Sequence, residues 1–355
     1  MNILFLANEI RYTCGVTNHL LHLTEGLAST EDTKLFLIAG GGNGADRFKD
    51  INIDVLTDRR FLHGKRDFYN YLKAVMFLKN YLKEKNIDII HSHSHYSANI
   101  AFVAAKNTQI QTIQTNHGIL ESQGRIKHFL ADRYVAINEH IKEYILRKGI
   151  AREEKIKFIR CGIKVPDIPP DKEEAPVKVL AAARFTRYKG VDIFIKAVSK
   201  LSSQVRATTE FNLAGEGDLN ESLRAMNTDL KTNINFLGRV TDIYRQLAPN
   251  HILVNPSISI TEGFPAIISE AGANNNLLIS SNFPGVHPVI QDGINGFIFA
   301  QHSVDELASK LEFFIQNYKS YKHIALNLYY KIKDEFNIDK MIEKHYNLYR
   351  ECLHH

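Results

Sequence analysis

The chain has 355 residues, more than one hydrophobic core ordinarily organises, so two domains are expected. Hydrophobic residues make up 44% and charged residues 23%, a balance that excludes an intrinsically disordered chain. The net charge of +5 suits a polyanionic small ligand or an anionic membrane surface, and is too small an excess to indicate nucleic acid.

Three widely spaced cysteines, Cys14, Cys161 and Cys352, provide neither a disulfide framework nor metal-ligand spacing and predict a reducing, cytoplasmic setting. The opening Met1 to Leu6 reads as a strand rather than a signal peptide. No apolar run reaches the roughly 18 residues that a membrane-spanning helix needs.

In chain order, Ile3 to Ala7 is a buried strand, and Val16 to Ala28 places Val16, Leu20, Leu23 and Leu27 at helical spacing. Lys34 to Ala39 is a strand. Asp67 to Lys85 is a helix with Phe68, Leu72, Val75, Met76 and Leu82 on one side, expected to pack on a sheet. Ile87 to His91, Gln111 to Thr115 and Tyr134 to Ile137 are strands, separated by a helix over Tyr96 to Lys106. Such alternation predicts parallel strands joined by crossover helices.

Pro166 to Pro176 interrupts this pattern with four prolines and five charges in eleven residues. Neither a helix nor a central strand tolerates that, and an interdomain linker is predicted there. A second alternating series follows, with strands at Val179 to Ala183, Glu210 to Ala214, Ile234 to Leu237, Ile252 to Asn255 and Leu277 to Ser280. Helices are predicted at Asp192 to Lys200, Ala266 to Ala273 and Val304 to Gln316, and from about Tyr318 to Leu353. The resulting expectation is residues 1–165 as the first domain, 166–178 as linker, 179–335 as the second domain, and 336–355 as a terminal helix packing back on the first.

The most informative stretch runs from Asn255 through Glu262, Gly263, Phe264, Pro265, Ala266 and Ile267 to Glu270 and Ala271. A strand ends at Asn255, and Pro265 suits the first turn of a new helix, where its missing N–H costs nothing. The leading amides of Ala266 and Ile267 are then free donors, which makes an anion site. Glu270 follows Glu262 by eight residues, so the pair can hold two separated hydroxyl-bearing parts of one ligand.

This stretch resembles the glutamate–seven residues–glutamate motif of the retaining glycosyltransferases of GT-B fold, family 4. The run from Ala182 through Arg184 and Lys189 to Gly190 resembles that family's diphosphate-binding segment, and Leu213 to Gly217 its glycine turn at Gly215. Phe236 to Val240 resembles its base-contacting strand end, and Pro284 to Gly296 its closing segment. The similarity covers nearly the whole chain.

The resemblance implies an α/β chain of GT-B architecture, with two doubly wound, Rossmann-like domains facing across a deep cleft. The first would bind the acceptor and the second the nucleotide sugar. It implies a retaining, metal-independent transferase, moving a sugar from a nucleotide diphosphate sugar, UDP favoured, to a hydroxyl of a glycan, lipid-linked or protein acceptor. No cofactor is expected, and no nucleic acid. Arg184 and Lys189 would neutralise the diphosphate, Glu270 would accept from the ribose, Glu262 would contact the transferring sugar, and Val240 would meet the base through its backbone. His117, in Thr115-Asn116-His117-Gly118, resembles the family's cleft histidine, which supports catalysis. Gly15 stands where backbone approaches the donor, although Cys14 replaces a neighbouring glycine. A non-catalytic nucleotide-sugar-binding subunit and a GT-B-fold epimerase are the alternatives.

Three features stand apart. The run His91-Ser92-His93-Ser94-His95 invites a zinc reading, but it lacks a fourth ligand and a His-Glu-x-x-His context, so a packed or cleft-lining role is expected and no metal. Gly40 to Gly44 lacks the dinucleotide spacing and is expected to be a flexible loop. Arg59 to Arg66, with Lys73, Lys79, Lys83 and Lys85, forms a basic, aromatic-bearing region suited to peripheral contact with anionic lipid.

Overall fold

The computed structural model describes all residues except 13, 31, 52, 66, 120–129, 174–175, 260–262 and 354–355. The chain divides into two compact units, residues 1–163 with 338–355, and residues 164–337.

The first unit contains β1 (Asn2–Ala7), α1 (Gly15–Ala28), β2 (Lys34–Ala39), β3 (Asp54–Thr57), α2 (Phe68–Glu84), β4 (Ile89–Ser92), α3 (His95–Ala105), β5 (Gln111–Asn116), β6 (Arg133–Ala136), α4 (Glu139–Arg147) and β7 (Ile156–Phe158). All strands are parallel, in the order β3-β2-β1-β4-β5-β6-β7. Near-continuous apolar runs such as Ile3 to Leu6, buried on both sheet faces, are what such a sheet demands.

The second unit contains β8 (Lys178–Ala182), α5 (Val191–Ser199), α6 (Ser203–Thr208), β9 (Glu210–Ala214), α7 (Asn220–Asp229), β10 (Asn235–Gly238), α8 (Tyr244–Leu247), β11 (Ile252–Asn255), α9 (Ala266–Ala273), β12 (Leu277–Ser281), β13 (Phe297–Phe299), α10 (Val304–Gln316) and α11 (Tyr318–Glu335). Its parallel sheet runs β10-β9-β8-β11-β12-β13, the doubly wound order that leaves a crevice where the two halves diverge. The last helix, α12 (Ile338–Leu353), belongs to the first unit, where it lies on α1. Among the described residues no helix is long and apolar enough to cross a membrane.

The proline-rich segment read as a linker is tied down along the second unit. Tyr329 donates to the Pro166 carbonyl at 2.5 Å, Asn275 to that of Pro170 at 3.1 Å, and Lys172 to those of Leu247 and Ala248 at 2.9 Å. Burial lowers the Lys172 ammonium to about 7.

Two expectations are corrected. In α2 the residues turned inward are Ala74, Val75, Leu78, Tyr81 and Leu82. Phe68 is 77% exposed, Met76 66% and Leu72 44%, so most of the predicted core stripe faces solvent; only Val75 and Leu82 of that set pack inside. Gly40 to Gly44 is also no loose loop. Gly42 has φ of 110°, a Cβ there would lie 1.9 Å from the Ile10 carbonyl oxygen, and backbone bonds join Ile10 N to Gly41 O and Gly44 N to Ile10 O.

Helix α9 packs on α11 through Gly272, where an added Cβ would lie 2.6 Å from Ile332 Cγ1 and 2.8 Å from Leu328 Cγ. Gly272→Val is therefore expected to cost about 1–3 kcal/mol through overpacking, read as a lowered urea midpoint. Gly15→Ala, where an added Cβ meets nothing within 4 Å among the described residues, is expected to leave the midpoint unchanged.

Candidate functional site

In the second unit the order of strand addition reverses between β8 and β11, which lie side by side and parallel in the sheet. The segment after β8 carries Arg184 and Lys189, and the segment after β11 leads to α9. The Ile258 amide donates to the Tyr188 carbonyl at 2.9 Å, and Ser257 Oγ donates to the same oxygen at 3.3 Å. Gly190 has φ of 62°, and a Cβ on it would stand 2.1 Å from the Pro256 carbonyl oxygen. Only glycine meets both demands.

The glycine turn after β9 closes the other side of this segment. Gly215 has φ of 143° with a would-be Cβ 1.9 Å from Ala183 O, and Gly217 has φ of 158° with one 2.5 Å from Phe185 O. Phe185, fully buried, donates its amide to Glu216 O at 2.9 Å and accepts from Leu219 N at 3.1 Å. Gly215 N in turn donates to Gly238 O at the end of β10 at 2.8 Å, and Val240 follows two residues later, half-buried. Four strand ends thus gather Arg184, Lys189, Gly215, Val240 and the start of α9 along one edge of one sheet.

Arg184 is exposed there, and among the described residues it has no ion-pair partner. Lys189 stands with its ammonium 5.8 Å from the Tyr188 ring centroid. Thr186 Oγ1, between the two cations, is buried without a hydrogen-bond partner among the described residues.

Pro265 is the residue that caps α9, with φ of −79° and ψ of 96°, one position before the first helical turn where it was expected. The first bond of the helix start runs from Ile268 N to Pro265 O at 3.0 Å, so the amides of Ala266 and Ile267 precede any intrahelical acceptor. Phe264 stacks on Phe336, with centroids 5.7 Å apart and planes 16° apart. Its ring is thus committed to packing.

Glu270 is 8% exposed, and no described residue donates a hydrogen bond to its carboxylate. Burial pushes its carboxyl up to about 7. The neighbouring Tyr244 phenol is pushed upward by its own burial and then by the Glu270 charge. Glu262, the other acid of the motif, lies outside the described residues.

The first unit presents a different chemistry at its strand ends. His117 follows β5 and is half-buried; burial lowers its imidazole to about 3, so the ring is neutral. Its Nε2 lies 2.9 Å from His93 Nδ1, and the two rings stack at 5.2 Å. The members of the histidine run make different hydrogen bonds, although the His91 and His93 rings lie 4.4 Å apart. His91 bonds Tyr349 through Nδ1 at 2.6 Å and Thr115 through Nε2 at 2.7 Å. His95 starts α3 and sits 2.6 Å from Gln114 Nε2. Only His93 joins His117, with His19 of α1 at 4.9 Å from the His117 ring, a contact no sequence spacing signals. Gly15, exposed, is the first residue of α1.

Two family models match. Glycosyltransferase Family 4 covers residues 13–165, and Glycosyl transferases group 1 covers residues 167–329. Among curated relatives, an N,N'-diacetylbacillosaminyl-diphospho-undecaprenol alpha-1,3-N-acetylgalactosaminyltransferase of Campylobacter jejuni is 24% identical, over 83% of this chain and 85% of the relative. A UDP-Gal:alpha-D-GlcNAc-diphosphoundecaprenol alpha-1,3-galactosyltransferase of Escherichia coli is 25% identical, over 79% and 80%. In fold, the chain matches a glycosyltransferase from Rickettsia africae with a TM-score of 0.82, 20% identity and 99% and 98% coverage. It matches Anabaena HepE in complex with UDP-glucose at a TM-score of 0.81, 17% identity and 99% and 100% coverage. The architecture is therefore the two-domain α/β arrangement of GT-B enzymes. The chain belongs to the GT-B glycosyltransferases, with its two halves matching the two family models in turn.

The raised Glu270 carboxyl sets a pH dependence. A carboxyl whose folded value exceeds its unfolded one adds stability below the unfolded value, lost as pH rises through the folded value. Between about pH 4.5 and 7 the native protein therefore loses stability that Glu270→Gln retains, on the order of 3 kcal/mol. Urea unfolding at pH 5 and pH 8 should show the variant's advantage growing with pH; an equal difference at both would contradict the assignment.

Proposed function

We propose that this glycosyltransferase moves a sugar from a UDP-sugar to a hydroxyl of a lipid-linked glycan, with retention of anomeric configuration and without a divalent metal on the donor. The observation that supports the donor half is that the segment carrying Arg184 and Lys189 follows β8, the segment leading to α9 follows the neighbouring β11, and the two segments are joined by the bond from Ile258 N to Tyr188 O. A diphosphate is the ligand whose charge and acceptor oxygens suit that set. Each charge-assisted hydrogen bond contributes roughly 1.5–3 kcal/mol and strengthens as the departing diphosphate gains charge. The Asp-x-Asp clamp of metal-dependent donors does not occur in the sequence, and the cations and helix amides take its role.

Glu270 accepts from the ribose hydroxyls in its ionised form, Val240 meets the base through its backbone, and Glu262 and His117 contact the transferring sugar. Retention follows a front-face route. The bond from the anomeric carbon to the diphosphate oxygen breaks, the acceptor oxygen bonds to the same face of that carbon, and the leaving phosphate oxygen takes the acceptor's proton. Both undecaprenol-linked relatives support a lipid-linked acceptor, and the UDP-glucose complex in the same fold supports a UDP donor.

Such an acceptor sits in a membrane, and α2 offers a face to meet it. Phe68, Tyr69, Leu72 and Met76 are exposed beside the exposed Lys73, Lys79 and Lys83, an apolar surface with cations around it that suits an anionic bilayer. Arg66 of the same basic region lies outside the described residues. All three cysteines are free thiols, in keeping with work at the cytoplasmic side.

Replacing both Arg184 and Lys189 by Ala is expected to reduce turnover about 10²–10⁴-fold, the loss of two charge-assisted contacts. Glu270→Ala should mainly weaken UDP binding by calorimetry; unchanged rate and affinity in these variants would remove the donor-site assignment. Sedimentation with phosphatidylglycerol-containing vesicles tests the membrane face. The native chain should pellet at low salt, and a Phe68→Ser/Leu72→Ser/Met76→Ser variant should stay in the supernatant with UDP affinity intact. Equal pelleting of both would remove α2 from the membrane.

A further inference from the structure

Three imidazoles from three elements of the first unit converge: His19 in α1, His93 just beyond β4 and His117 just beyond β5. One ring nitrogen from each lies within 4.8 Å of the other two. The placement is not that of ordinary core histidines. His19 is 4% exposed, and neither of its nitrogens has a hydrogen-bond partner among the described residues; His93 is 6% exposed, and its Nε2 has none. Buried polar atoms are ordinarily paired, and unpaired ones point to a missing partner. The neighbouring His91, with both nitrogens bonded, shows what a satisfied imidazole looks like in the same layer.

The surroundings favour a metal over a proton. Burial first, and the neighbouring imidazoles after it, lower His19, His93 and His117, leaving the neutral rings that coordinate metals. Phe5, with ring centroids 5.8 Å from His91 and 6.0 Å from His93, closes one side with apolar surface. His117 is only partly buried, and a three-histidine set would take a fourth ligand such as water.

We propose that His19, His93 and His117 form a binding site for a divalent transition metal of the zinc class. Tetrahedral coordination at about 2.0–2.1 Å per imidazole nitrogen requires the rings to reorient, which gives up the His93–His117 hydrogen bond. The bound ion inhibits transfer, because it takes a nitrogen of His117. That second clause rests on the role given to His117 above; the site itself does not.

The test uses the full chain, freed of metal with a chelator, titrated with ZnCl2 against a chromogenic competitor, and separately with CoCl2. One equivalent of zinc should bind, and cobalt should give the intense visible bands of a tetrahedral nitrogen site. His19→Gln and His93→Gln should each weaken zinc binding by about tenfold or more, while His323→Gln, an exposed histidine elsewhere, should not. Thermal unfolding checks that each variant folds; if neither ligand variant does, the cobalt spectrum of the native chain decides. Absence of stoichiometric zinc binding, a six-coordinate cobalt spectrum, or full affinity in His19→Gln would overturn the site. Release of UDP from UDP-sugar, with and without one equivalent of zinc, reads the inhibitory clause. Inhibition should appear in the native chain and vanish in His19→Gln. Zinc that binds without slowing turnover would overturn that clause, whereas a metal-free chain inactive on every donor would count against the transferase proposal and leave the binding result standing.

Discussion

The backbone bond from Ile258 N to Tyr188 O holds the donor half together. It joins two loops that are about seventy residues apart in the chain but leave adjacent strands of one parallel sheet. Closing so long a loop is entropically costly, and the pairing of β8 with β11 brings the two loops side by side. The loops then need only a glycine at 190, which lets backbone approach backbone to a distance that any Cβ would prohibit. That closure sets the segment carrying Arg184 and Lys189 against the segment that leads to α9.

The alternation of buried strands and amphipathic helices was open to reading because a two-sided parallel sheet forces continuous apolar runs. The edges were not. β3, β7 and β13 went unseen: they are three or four residues long, and β3 has no fully buried position. The face of α2 was misread for a related reason. Phe68, Leu72 and Met76 recur at helical spacing as a core stripe does, and periodicity states which residues share a side without stating which side meets the sheet. Tyr81 and Ala74, less apolar or smaller, occupy the inward positions instead.

At the site, local motifs were legible and distant meetings were not. The Arg184 to Gly190 segment, the Gly215 turn and the start of α9 each carry short-range signals of strain or capping that sequence displays. The joining of His19 to His93 and His117 has no such signal, since the residues come from three different βα units and share only the topology of their sheet. The histidine run suggested a unit of three, yet adjacent positions of it serve a core bond, a cluster and a helix start.

The two units therefore use one topology for opposite electrostatics. The second unit places Arg184, Lys189 and the start of α9 at its strand ends. The first collects imidazoles that burial keeps uncharged, so it has no comparable pull on a diphosphate. Glu270 sits at the positive edge yet is held near half ionisation at neutral pH by desolvation alone. In the donor role proposed for Glu270, hydroxyls donated by a ribose favour the charged form. On that proposed role, nucleotide binding and proton release are coupled, and UDP affinity measured by calorimetry is expected to rise as pH climbs through the Glu270 value.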